Sequence, residues 1–433
     1  MLHAKHTRFI GKILKKALAR RGGGSALPGL IVEKLDPDFL KRTLSNLPQG
    51  VVVISGTNGK TTTTKMAVQL LRASGLSVFT NPSGSNFTRG IAASLIEVVD
   101  DEGNLNADIA VIELDEAHAV HFVHQIQPSY CLILNVLRDQ LDRFGEIDHT
   151  AKLLSTVVAA TTDGVVLNRE DPLVRTLAAH VTRNKKLHYF GLNPKLTSMF
   201  PSDQDLRSQA AADAPAIPHL RHSDVILESF KNQKAVFAWG EEKQSSVTLK
   251  LDGVYNVFNA AAALALTRMI LGENSDDKLI LAELNNVKPA FGRGEAVIID
   301  GEPLEIVLVK NPSGFRLALS SYAARPASTM VAINDNYADG RDMSWLWDVE
   351  FESLISDSAV AGVTMVSGIR AYDMALRLQY DDVTVSQVVT SIPEAVDTFL
   401  RRSQGRRRIY CTYTAMLAIR RHLAKSYPLE AIE

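Results

Sequence analysis

The sequence predicts an α/β protein of two domains, a larger one followed by a smaller Rossmann-like one. Three observations lead there. From Val51 onward, short apolar runs alternate with helical stretches, the pattern of a mostly parallel sheet covered by helices. The first run, VVVIS, passes straight into a glycine loop, GTNGKTTTT, that opens a helix. At PAFGRGE, residues 289–295, the alternation stops, and beyond it starts again.

The elements follow in order. MLHAKHTRFIGKILKKALARR carries seven Lys or Arg and no acid. Ile10, Ile13, Leu14 and Ala17 share one helical face, and Gly22-Gly23-Gly24-Ser25 ends it. This reads as an amphipathic helix, packed on the body or resting on an anionic membrane surface. Residues 51–55 are a buried strand, and the stretch from Thr61 is the helix after it. Further strands are expected at 77–79, 107–114, 129–136 and 165–167, with helices at 119–125 and 151–161. Residues 194–222, dominated by Pro, Ser, Asp and Ala, read as an exposed or poorly ordered insertion. AVFAW and SSVTLKL suggest antiparallel strands, and 256–271 is an alanine-rich helix. Past the boundary, strands are expected at 305–310, 329–335, 363–368, 383–389 and 408–414, with helices at 315–323, 372–378, 392–403 and 414–422. The division is a basic segment 1–44, a central domain 45–292 and a C-terminal domain 293–433.

Composition excludes several classes. The formal net charge is -1, so no global field recruits nucleic acid. No apolar run reaches the roughly 18 residues needed to cross a bilayer. Cys131 and Cys411 are the only cysteines, which excludes a disulfide scaffold and an all-cysteine zinc site. Both sit in apolar strands and read as core residues. A reduced, cytoplasmic setting fits best. The basic run Arg401, Arg402, Arg406, Arg407 and Arg408 reads as a solvated face, or as a contact for phosphate or anionic lipid.

The glycine loop carries the chemistry. Backbone N–H groups at a helix N-terminus face whatever lies in front of them, and glycines let the chain curl close enough to use them. Gly56, Gly59 and Lys60 supply that arrangement, and Thr61 or Thr62 can place a hydroxyl on Mg²⁺. Ile54 stands where the general pattern asks for its first glycine, so the loop is a short variant. VIELDEAH places Glu113, Asp115 and Glu116 just past a strand end, and Glu113 is the natural metal ligand. A second acidic cluster holds Asp139 and Asp142. Asn168, at the start of NREDP, either meets the nucleotide or caps a turn. His118, His121 and His124 fall near helical spacing, which suits a surface helix as well as a zinc cluster.

Together these pieces resemble the Mur ligase superfamily, and within it the MurT branch. The resemblance spans nearly the whole chain. It rests on SGTNGKTTTT, VIELDE, NVLRDQLDRFGEID, LNREDP, GVYNVFNAAAA, FGRGE and KNPSG, and on DNYADGRDMSWLWDVEFE, the signature of the branch. It implies an ATP-dependent ligase that turns the α-carboxylate of D-glutamate, in the peptide stem of lipid II, into an amide through an acyl phosphate. Ammonia would come from a separate glutaminase subunit, GatD. Gly56, Thr57, Asn58, Gly59, Lys60, Thr61 and Thr62 match the phosphate loop, with Lys60 on the terminal phosphates. Thr61 and Glu113 match the Mg²⁺ site, and Asn168 and Asn259 match positions beside the nucleotide. Arg293 matches a hinge arginine that reaches phosphate on closure, and Lys310 and Asn311 lie on the loop facing ATP. Asp342 matches the acid that this branch lends to its partner's catalytic histidine.

The chain departs from the wider superfamily in three respects. Only 50 residues precede Val51, too few for a UDP-binding domain, so a lipid-linked substrate is expected. Gln140 replaces a histidine linked to a second metal, which favours a single Mg²⁺. Residues 194–222 hold no cysteine, so no zinc is expected. Two other readings remain. A folate or muropeptide ligase working alone is disfavoured by ADGRDMSWLWD, and a nucleotide-binding regulator by phosphate contacts divided between domains.

Overall fold

The computed structural model describes residues 27–81, 87–137, 147–199, 216–218, 223–231, 233–240, 243–249, 254–272, 275–287, 293–322, 325–357 and 363–429. The basic helix expected near the N-terminus, Asp139, Gln140, Asp142 and most of the 194–222 stretch lie outside them.

Helices α1 (Leu27–Leu35) and α2 (Phe39–Leu44) come first. Sequence reading places them in a separate basic segment, but Val32, Phe39, Leu40 and Leu44 are buried in the core of the first sheet. Charge drew the expected boundary, whereas burial of these apolar side chains decides where the segment packs.

The first sheet is built from β1 (Val51–Ser55), β2 (Val78–Thr80), β3 (Ile109–Glu113), β4 (Tyr130–Ile133), β5 (Gly164–Asn168), β6 (Lys186–Leu192), β7 (Val225–Lys231), β8 (Lys234–Trp239) and β9 (Lys243–Thr248). Its order is β2-β3-β1-β4-β5-β6-β7-β8-β9. Pairing is parallel as far as β7, and β8 and β9 close the edge antiparallel. Every residue of β1 and β3 is buried, which explains why both read as unbroken apolar runs rather than alternating ones. The helices are α3 (Lys60–Ala73), α4 (Thr88–Val98), α5 (Glu116–Gln125), α6 (Ile147–Ala160), α7 (Pro172–Thr176), α8 (Val254–Leu271) and α9 (Asp277–Leu284). One apolar core lies on each face of the sheet. Small side chains at Ala260–Ala263 and Ala265, all fully buried, let α8 approach closely.

β1 lies between β3 and β4, while the chain leaves it for β2 on one side and crosses back to β4 on the other. The carboxyl end of β1 is therefore a topological switch point, where open α/β sheets bind ligands.

The second sheet holds β10 (Arg293–Ile299), β11 (Glu302–Leu308), β12 (Ser328–Ala332), β13 (Met365–Ser367), β14 (Val388–Val389) and β15 (Arg407–Cys411), in the order β10-β11-β15-β12-β13-β14. Helices α10 (Pro312–Tyr322), α11 (Ser353–Asp357), α12 (Ala371–Tyr380), α13 (Ile392–Arg402) and α14 (Tyr413–Leu423) accompany it.

Three strands went unnamed in the sequence reading, β6, β7 and β10, and one shrank. The run expected at 383–389 pairs over Val388–Val389 only, plus a single bridge from Val385 to Val363. It is an edge strand with one neighbour, so its alternation of Val with Thr and Ser finds little to pair with. The basic run divides as well. Arg401 and Arg402 are exposed, but Arg407 and Arg408 are buried, because β15 is an inner strand between β11 and β12. Glu305 on β11 neutralises Arg408, with Nε donating at 2.8 Å, and also pairs with Arg406. Cys131 and Cys411 are buried, as expected of core thiols.

Candidate active site

The glycine loop joins β1 to α3 at the switch point. Gly59 caps α3 at φ 90°, and Gly56 sits at φ 131°, both in the left-handed region that favours glycine. A Cβ on Gly59 would lie 2.5 Å from Asn259 Oδ1, and one on Gly56 2.9 Å from the Asn135 backbone. The loop thus rests on Asn259 of α8 at one end and on the chain after β4 at the other. Asn135 grips it directly. Its Oδ1 accepts from the Asn58 N–H at 2.8 Å, and its Nδ2 donates to the Asn58 carbonyl at 2.9 Å. The Leu137 N–H donates to the Thr57 hydroxyl at 3.0 Å.

Charge gathers under this loop. Lys60 Nζ lies 3.0 Å from Asp115 and 3.7 Å from Glu116, and donates to the Gly56 carbonyl at 2.7 Å. Burial works against the ammonium, but Glu116, Asp115 and Glu113 outweigh it and hold Lys60 above its ordinary value. The Thr61 hydroxyl donates to Glu113 Oε1 at 2.9 Å. Burial raises the Glu113 carboxyl, against the pull of Lys60, the Thr61 hydroxyl and Lys310. For Asp115 burial also acts upward, but Lys60 and Lys310 prevail and hold it below the usual range. Asn81 fixes the backbone of Glu113 from both sides, accepting from its N–H at 2.9 Å and donating to its carbonyl at 3.0 Å. Three carboxylates and a hydroxyl thus share a buried corner with one ammonium. That donor set suits a hard, oxygen-seeking cation beside a phosphate chain.

The second sheet reaches the same place. Asn311 precedes α10, and its Oδ1 accepts from the Gly314 N–H at 2.8 Å. The same amide exchanges two hydrogen bonds with Asn58, at 3.1 and 3.3 Å. Lys310, next to it, is exposed and close enough to bias both Glu113 and Asp115. Gly56, Thr57, Asn58, Gly59, Lys60, Thr61, Glu113, Asn259, Lys310 and Asn311 are therefore gathered around one loop. Thr62 is buried in the first turn of α3. Asn168 is different. Its amide donates to the Leu134 carbonyl at 2.7 Å and accepts from the Glu170 N–H at 2.9 Å, so both ends serve backbone. Arg293 opens β10, and its side chain lies outside the described residues. Among the described residues no group of three or more His, Cys, Asp or Glu is arranged to hold a metal. His118 packs on the Phe87 ring at 5.8 Å, and His121 and His124 are exposed.

Asp342 lies away from the loop, before a short 3₁₀ turn, Ser344–Asp348. Its Oδ1 accepts from the Ser344 N–H at 2.9 Å. Nearby acids are otherwise engaged. Asp335 pairs with Arg370 at 2.8 Å, and Asp339 is buried against Thr414 and Asn336. Asp342 is half-buried and remains reachable from outside.

Residues 54–267 match the Mur ligase middle domain, and residues 308–416 the MurT ligase C-terminal domain. The MurT subunit of the lipid II isoglutaminyl synthase (glutamine-hydrolyzing) of Streptococcus pneumoniae is 31% identical over 94% of this chain and 94% of its own length. The chain belongs to the MurT family. A second MurT subunit, from Staphylococcus aureus, is 29% identical over 89% of each chain. In overall shape the MurT chain follows a pseudomurein peptide ligase type C from Methanothermus fervidus, with a TM-score of 0.67 over 90% of this chain and 80% of that one. At 20% identity that likeness concerns the fold alone.

Sequence reasoning missed two residues of this MurT site, Asn135 and Asn81. Both act by bracing backbone, one under the phosphate loop and one beside Glu113. Asn135 carried a signal, since it is the polar residue that breaks the apolar run of β4 at its carboxyl end. Asn81 stands in the same relation to β2.

Proposed function

We propose that this MurT-family chain is the ligase subunit that spends ATP to amidate the D-glutamate residue of lipid II, with ammonia supplied by a GatD-type glutaminase. The observation that carries the reading is the joining of a Lys60–Thr61–Glu113 corner to a C-terminal domain of the MurT type.

The chemistry follows in two steps. An oxygen of the α-carboxylate attacks the terminal phosphorus of ATP, the bond to ADP breaks, and an acyl phosphate forms. Ammonia then adds to the carbonyl carbon, a proton is lost, and phosphate leaves the amide behind. The N–H groups at the start of α3 and the Lys60 ammonium hold the phosphate chain. Mg²⁺, held by Glu113 and Thr61, would neutralise phosphate charge in the transfer. Lys310 and Asn311 approach from the second domain, and Arg293 would join them from β10. Their closure keeps water from the acyl phosphate, which would otherwise hydrolyse.

Asp342 supports the partner half of the reading. A carboxylate on the far nitrogen of a histidine fixes its tautomer and steadies the imidazolium. The turn that follows Asp342 borders, through Trp347, an apolar surface fit for the glutaminase subunit. Tyr372, Leu376 and Tyr380 follow one side of α12, Ile369 precedes them, and Trp347 stacks edge-on against Tyr380 at 5.0 Å. All five are at least half exposed, an arrangement typical of the centre of a protein interface. Among the described residues no helix is long and apolar enough to cross a membrane. The basic segment before residue 22 would draw the chain to the anionic surface that carries a lipid-linked substrate.

The test uses the purified chain with ATP, Mg²⁺, lipid II and ammonium chloride, and mass spectrometry of the peptide stem. The expected result is the mass change of carboxylate to amide, in step with ADP. Absence of product both with ammonium and after addition of the glutaminase with glutamine would overturn the reading.

A further inference from the structure

Arg377 is a charged residue in an apolar place. It lies on α12, is only 6% exposed, and sits 5.3 Å from the rings of both Trp347 and Phe351. Each of its three nitrogens donates a hydrogen bond. Nε donates to the Leu346 carbonyl at 3.1 Å, Nη2 to the Val349 carbonyl at 2.6 Å, and Nη1 to the Asp381 carboxylate. The other oxygen of Asp381 accepts from the Phe351 N–H at 2.8 Å.

These carbonyls lie in and just past the Ser344–Asp348 turn, whose first N–H, that of Ser344, donates to Asp342. Arg370, the residue just before the helix, pairs with Asp335 upstream of Asp342. An α12 side chain that only filled space would be apolar, and would leave the Leu346 and Val349 carbonyls without these donors. Only a planar fork reaches two carbonyls and a carboxylate at once; a lysine ammonium is a point charge.

We infer that Arg377 is a positioning residue: it locks the acid-bearing turn to the exposed helix α12, so that a partner seated on that helix finds Asp342 already placed for its histidine. The inference rests on the role proposed above for Asp342. It explains why the apolar face and the acid belong to one rigid unit. Docking then sets the geometry of catalysis without any further ordering of the loop.

The experiment is Arg377→Lys in the assembled complex, measured with glutamine and separately with ammonium as nitrogen source. A displacement of about 1 Å costs on the order of a hundredfold in rate, so glutamine-driven amidation should fall by about that factor. Ammonium-driven amidation should stay within about twofold, and Arg377→Lys combined with Asp342→Asn should be no worse than Asp342→Asn alone. An equal fall with both nitrogen sources, or a loss in the double variant that adds to the single ones, would overturn the inference. If Asp342→Asn itself leaves glutamine-driven amidation intact, the role of Asp342 fails and this inference falls with it. If Asp342→Asn loses activity and Arg377→Lys does not, only the positioning is overturned. Should Arg377→Lys fail to fold, Asp381→Asn keeps an oxygen for the Phe351 N–H and removes the charge opposite Arg377. It should give the same split between nitrogen sources, more weakly, and no split there would also overturn the inference.

Discussion

Lys60 stands between three carboxylates and the carbonyl of Gly56, and its charge is held there against burial. Lys60→Ala removes the ammonium without touching the C-terminal domain. Amidation should vanish with either nitrogen source, while a pull-down with the glutaminase stays unchanged. Asp342→Asn is the opposite case. Asparagine still accepts from the Ser344 N–H, so the fold should hold, but it cannot steady an imidazolium. Glutamine-driven amidation should fall steeply, by up to about 10⁴ if the acid acts as in a single-chain triad. Amidation with added ammonium should survive, and equal loss with both would remove the role assigned to Asp342. A third residue carries a pH dependence. Burial pushes the Cys131 thiol from 9.0 up to about 12. The folded state thus keeps a proton that the unfolded chain gives up above pH 9. Stability should be unaffected by this group below pH 9 and should decline from there to about 12, a slope that Cys131→Ala would reduce in urea titrations.

The loop between β1 and α3 shows how an element is held. Its backbone strain is confined to Gly56 and Gly59, and its outer edge hangs on the side chain of Asn135. Asn135→Ala deletes both bonds to Asn58 at a cost of about 1–3 kcal/mol, if the freed groups stay dry. The KM for ATP should rise and the melting temperature fall, while partner affinity stays the same. A rise in KM for ammonium alone would place the effect elsewhere. Helix α10 links the site to the second core. Asn311 caps its start beside the phosphate loop, and one turn later Phe315 packs on Phe351 at 5.0 Å and Tyr410 at 5.3 Å.

On the scale of the molecule, two α/β sheets meet at a nucleotide site to which both contribute. The reciprocal bonds of Asn58 and Asn311 join them at that point. A ligand held by both should stabilise the whole chain by mass action, by about 2.7 kcal/mol at about a hundredfold excess over Kd. Thermal scans with ATP and Mg²⁺ should therefore show a higher melting temperature, and Lys60→Ala should abolish the rise. An unchanged melting temperature for the unaltered protein at saturating ATP and Mg²⁺ would mean that the folded chain does not bind the nucleotide.

Local pattern was enough for the strand–loop–helix at Val51–Ala73, for the acids after β3 and for the restart of alternation near residue 293, because each depends on neighbours in sequence. Short apolar runs rich in β-branched residues and bounded by turn residues suit strands buried on both faces, and glycine beside lysine at a helix start serves few purposes. The braces were not legible. Asn135 beneath the loop, Asn81 beside Glu113, and Arg377 behind the acid-bearing turn are each ordinary polar residues until distant segments fold against them. Asn168 points the same way: its amide matched a nucleotide position, and packing turned both its ends to backbone. So did Arg407 and Arg408, which read as surface charge until β15 took its place between two other strands. Burial and partners arise from contacts far apart in the chain, and only the assembled sheets specify them.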